Sequence, residues 1–144
     1  MEARRWMPQP NIAFGCADIS FSWPTEQRAP LVVVMHFSRV IDGHDKDLQI
    51  TFRRPLALKW EQESFGLAES PDVVPHLSHE NFKGWTHPTL IIDGSKWREA
   101  YAARSYPEND PREKNLVHYF LVSLNDLVHV LAEGEPESKW VQAN

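Results

Sequence analysis

In the stretch ADISFSW, Ala17 to Trp23, the apolar residues Ile19, Phe21 and Trp23 alternate with Ser20 and Ser22. That is the period of a half-buried strand, which Pro24 ends. After the polar loop TEQRAP comes LVVVMHFSRVI, rich in β-branched and aromatic residues, then the turn-rich DGHDKD, then LQITFRR with Leu48, Ile50 and Phe52 alternating against polar neighbours. The pattern predicts a hairpin with a longer loop. Pro55 has no N–H to give to a strand ladder, so a break or bulge is expected there before Leu56, Leu58 and Trp60 resume the alternation. The stretch Ser64 to Trp85 has no sustained period and reads as a long loop. A short strand, TLIID, leads into GSKWREAYAARSYP, where Ser95 is a suitable N-cap and Trp97, Ala100, Tyr101 and Arg104 recur at helical spacing. A helix from Ser95 to Arg104 is too short to persist alone in water, so Trp97 is expected to bury where the helix meets a sheet. YPENDPREKN reads as an exposed loop.

The run Asn115 to Gly134, NLVHYFLVSLNDLVHVLAEG, admits two readings. As a helix, Leu124, Leu127, Val128 and Leu131 form an apolar stripe behind a capping pair, Ser123 and Asp126. As a hairpin, Asn125 and Asp126 occupy a two-residue turn, and both residue types tolerate the positive φ such turns require. The hairpin is preferred, because the residues before the turn are β-rich and the run is apolar on both faces. In its register His129 lies opposite Val122 and His118 opposite Glu133, which separates the two histidines by roughly 13 Å at the strand rise. One metal ion could not then bind both, and His129 is expected to be a neutral core histidine.

Composition sets the class. With 144 residues, 42% hydrophobic and 24% charged, the chain fits one soluble globular domain spanning residues 1–144. A single cysteine, Cys16, excludes an intramolecular disulfide and thiolate-rich zinc patterns, which fits a reducing compartment. The arginine pair in MEARRWMPQPNIAFG is not followed by the apolar segment of a secretory signal, so a cytoplasmic location is expected. The longest apolar run, Leu31 to Met35, is far short of the roughly 20 residues that span a bilayer. The net charge of -5 is uneven: seven basic and six acidic residues precede Lys59, eight basic and fourteen acidic follow from it. Without a clustered basic surface, nucleic acid is not an expected partner. The acidity of the second half points instead to a basic protein partner.

Candidate chemistry is sparse. His76, His79 and His87 in PHLSHENFKGWTHP could furnish an open three-imidazole zinc site for a small metal-dependent hydrolase, but their spacing matches no zincin motif, and surface histidines are the simpler reading. An EF-hand loop starting at Asp42 would need Gly and Glu where Asp47 and Arg53 stand, so Asp42, Asp45 and Asp47 read as solvated turn residues. Glu61 and Glu63 would share one strand face at glycosidase-like spacing, a common pattern on any exposed strand. Cys16 has no sequence neighbour that would activate its thiol. No phosphate-binding glycine loop and no GxSxG elbow occurs. No metal site, no cofactor and no assignable catalytic residue is expected.

The order LQITFRRPLALKWEQE, PTLIIDGSKWREAY, HYFLVSLNDLVHVLAEG resembles a loose group of small bacterial proteins in which a strand leads into a Ser-x-Trp helix and a His-Tyr strand opens a late hairpin. Some similar small β-rich proteins are immunity proteins encoded beside toxins. The fold expected is α+β, a mainly antiparallel, strongly curved sheet with one short helix packed on it. The expected function is that of a non-enzymatic binding protein of the toxin-neutralising immunity type. The alternatives are the hydrolase on the histidine loop and a ligand-binding or structural module with an aromatic pocket.

Overall fold

A computed structural model describes residues 2–10, 12, 16–41, 44–62 and 88–143. The strands are β1 Glu2–Arg5, β2 Cys16–Ser22, β3 Leu31–Ile41, β4 His44–Phe52, β5 Pro55–Gln62, β6 Thr89–Asp93, β7 Leu116–Val122, β8 Asp126–Glu133 and β9 Glu137–Gln142. One helix, α1 Lys96–Ser105, follows β6, and a 3-10 turn, Pro111–Asn115, precedes β7. The class is α+β and mainly antiparallel, as the alternation implied. The strands form two sheets, however, rather than one curved sheet: β1-β6-β7-β8-β5 and β2-β3-β4-β9. Among the described residues no helix is long and apolar enough to cross a membrane.

The two sheets are joined where the chain cannot continue a ladder. Between Phe52 and Pro55 the chain leaves the four-stranded sheet for the five-stranded one, and the β5 register slips between Pro55 and Ala57, the bulge that the missing proline N–H calls for. The slip puts Leu56 with Ala57 and Trp97 on the helix side, while Leu58 stays in the layer between the sheets. After β8 the chain crosses back at Gly134, whose φ of 80° is costly for other residues, and the Tyr119 hydroxyl donates to its carbonyl at 2.9 Å.

Alternation decides the layers. Ile19, Met35 and Leu48 stand in one row of the four-stranded sheet with Trp140. They face Tyr119, Leu121, Val128 and Val130 of the other sheet in one buried cluster. The other face of the five-stranded sheet is apolar too, with Leu90, Ile92, Phe120, Val122 and Leu127 buried on it. Helix α1 covers part of that face. Ser95 caps it by accepting the Arg98 N–H at 3.1 Å, as the sequence indicated. The stripe differs from the expected one: Ala102 is the buried member, Trp97 and Tyr101 are half-buried, and Ala100 and Arg104 face solvent. Full burial of Trp97 is therefore corrected to partial burial at the edge of the helix.

Candidate functional site

Beneath α1 the outer face of the five-stranded sheet carries a polar chain. The Ser95 hydroxyl lies 2.7 Å from His118 Nδ1, and His118 Nε2 lies 2.7 Å from His129 Nδ1. All three residues are buried, at 1%, 2% and 0% exposure. Trp97 meets both imidazoles edge-on, with centroids at 5.1 and 6.3 Å, and Phe120 stacks on His129 at 4.2 Å. Lys59, directly across the ladder from His129, holds its ammonium over the Trp97 ring at 4.7 Å.

The contact overturns the expected separation of the two histidines. The run does form a hairpin, but Val122 pairs with Leu127, Phe120 with His129 and His118 with Leu131. The turn is set by Ser123, whose Oγ accepts the N–H groups of Asn125 at 3.3 Å and Asp126 at 2.9 Å. Leu124 and Asn125, not Asn125 and Asp126, are then the tip. Moving a turn by one residue shifts every cross-strand partner by two, which keeps each side chain on its face. It brings the histidines from opposite ends of the ladder to diagonal positions, about 7–8 Å apart at the backbone and within reach of each other's rings. The separation argument against a shared metal falls. What replaces it is the hydrogen bond: tetrahedral zinc would hold two nitrogens about 3.4 Å apart, whereas these share a proton.

Burial in the apolar layer pushes the His118 imidazole down to about 3, with the Lys59 ammonium adding to the shift. Burial also holds His129 well below the ordinary value, and His118 and Lys59 reinforce it. Both rings are thus neutral. Each neutral imidazole has one donor and one acceptor nitrogen, so the chain runs in one direction at a time, with Ser95 at one end. His129 Nε2, at the other end, has no partner among the described residues. The arrangement resembles a relay, but its serine is spent on capping a helix and no member reaches the surface.

The other sequence candidates are dispersed. His76, His79, His87, Asp42 and Glu63 lie outside the described residues. Glu61 stands opposite Leu127 on the outer face. Asp47 pairs with His36 at 2.5 Å on the four-stranded sheet. Cys16 is buried and its thiol donates weakly to the Asp18 carbonyl at 3.5 Å, and burial, with Asp18 and Asp126 nearby, raises its pKa strongly. Asp126, first read as a turn residue, closes one end of the sandwich: it accepts the Trp60 indole N–H at 2.9 Å and the Ile19 backbone N–H at 3.4 Å.

Two concavities open to solvent on either side of Tyr106. One, of about 430 Å³, is lined by Glu99, Glu108 and Glu113 around the end of α1. The other, of about 940 Å³, is lined by Trp23, Arg28, Arg53, Arg54 and Arg112. Glu133 also lines the larger one and reaches Tyr106, which lines the smaller, accepting its hydroxyl at 2.5 Å and an Arg54 N–H at 3.5 Å. The larger was not legible as a site because it draws its residues from segments far apart in the chain, whereas the smaller is lined by residues 99–113 alone, whose concavity depends on how the chain turns after α1. Comparison with family models, curated proteins and solved structures finds no match.

Proposed function

We propose that this chain is a non-enzymatic binding protein that meets a basic protein partner through the acidic concavity beside α1. One observation carries the reading. Ser95, His118 and His129, which lie in line to pass a proton, are locked in a closed buried chain, while charged side chains around α1 line open concave surface. Glu99 and Glu108 are exposed and Glu113 is half-exposed; Arg98 pairs with Glu99 at 2.7 Å and with Glu113 at 3.2 Å. Such a patch accelerates encounter with a cationic partner by steering more than it adds affinity. Toxin neutralisation of the immunity type, which the sequence resemblance implies, is one use of such a surface. The hydrolase alternative rests on His76, His79 and His87, all outside the described residues.

Site-specific photo-crosslinking tests this. With p-benzoylphenylalanine in place of Glu108 or Ala103, cells in which the chain is native should yield one discrete adduct with a basic protein. Adding Glu99→Lys should abolish it, and the same probe at Lys139, on the opposite sheet, should capture nothing. No adduct at either position, or capture of an acidic protein, would contradict the proposal.

A further inference from the structure

We propose that the arginine and tryptophan groove is a second binding site, opposite in sign to the first, and that its occupant is an acidic polypeptide segment. The groove lies where four pieces of chain converge: the loop between β2 and β3, the corner between β4 and β5, the 3-10 turn before β7, and the end of β8. Its walls are tied together. The Glu133 N–H donates to the Arg54 carbonyl at 3.1 Å, and the Ala29 N–H donates to the Glu26 carbonyl at 3.2 Å. Arg28 holds a φ of 68° in that tight turn, a conformation that a non-glycine residue adopts at a cost and that often marks a working loop.

The charge pattern identifies the ligand class. Four guanidinium groups line the groove of a chain whose net charge is -5. Three are paired with carboxylates: Arg53 with the exposed Glu137 at 2.9 Å, Arg54 with the largely buried Glu133 at 3.5 Å and Arg112 with the largely buried Asp110 at 2.6 Å. All three guanidinium groups are themselves more than half exposed, and each carries five N–H donors, so an incoming carboxylate can bind them beside the resident one. Arg28 has no ion-pair partner among the described residues. Between the cations stand Trp23, at 41% exposure, and Pro24, Pro55 and Leu56, a strip that suits aliphatic or aromatic side chains. Glu26 and Glu133 also line the groove. They would repel a compact polyphosphate, whereas a polypeptide can offer its N–H groups to them and its spaced carboxylates to the arginines.

The test is binding of a hexaglutamate peptide to the full chain, followed by NMR at the Trp23 indole and the Arg28 side chain, with hexalysine and inorganic triphosphate as the other probes. The proposal expects hexaglutamate to move both signals and hexalysine to move neither. Arg28→Glu and Trp23→Ala should each weaken binding by about tenfold without changing thermal unfolding, since both residues are exposed. Three results would overturn it: tighter binding of triphosphate than of hexaglutamate at the same signals, peptide shifts confined to other residues, or unchanged affinity in Arg28→Glu.

Discussion

Chemical denaturation of the purified chain should show its stability falling steeply as the pH drops below about 6.5. The sign follows from the direction of the shifts. In the unfolded chain His118 and His129 take up protons near the ordinary imidazole value of about 6.5, whereas in the folded chain burial holds His118 down to about 3 and His129 well below normal. Their contribution to stability is therefore complete above the unfolded value and is lost as the pH falls toward the folded one. Each histidine that stays neutral in the folded chain removes roughly 1.4 kcal/mol per pH unit, so the pair costs on the order of 4 kcal/mol by pH 5. That is a large share of the stability of a domain this size. The double variant His118→Gln, His129→Leu should have a much flatter profile between about pH 5 and 7. An equal slope in the variant would show that the pair is not the source.

Trp97→Ala should produce the second large effect, a loss of about 3 kcal/mol. The ring is half-buried, but it contacts both imidazoles edge-on and carries the Lys59 ammonium over its face at 4.7 Å. Removing it admits water to the histidine pair as well as deleting contact area. The variant should then also lose part of the acid sensitivity, because hydration lets His118 accept a proton nearer the ordinary value. A stability loss below about 1 kcal/mol, or an unchanged pH profile, would show that Trp97 does not shield the pair.

These effects arise from features that the sequence reveals unevenly. Strands β3 and β4, the corner at Pro55 and the Ser95 cap were readable because alternation, a missing N–H and a capping side chain act locally. Alternation shows which side of a strand is buried but not against what, so two facing sheets looked like one curved sheet. Strand β9 carries little signal although Ser138 and Trp140 turn inward in alternation with Glu137 and Lys139, since a six-residue edge strand with charged alternates reads like a loop. The hairpin of β7 and β8 was legible and its register was not. Asn-Asp is the stronger turn pair by type, but the Ser123 hydroxyl takes the N–H groups that fix the tip one residue earlier. That single choice decided whether His118 and His129 stood apart or touched. The arginine groove had no local signal at all, because Arg28, Arg53 and Arg112 come together only through the exchange of strands between sheets.

The central claim is that Ser95, His118 and His129 form a closed, neutral, structural chain. Long-range proton–nitrogen NMR of the imidazoles, followed from about pH 5 to 8, tests it most directly. The account predicts that neither His118 nor His129 titrates in that range and that a coupling across the shared proton links His118 Nε2 to His129 Nδ1. Titration of either ring near its ordinary value, with no such coupling, would contradict it and return both histidines to the list of groups free to act on a substrate.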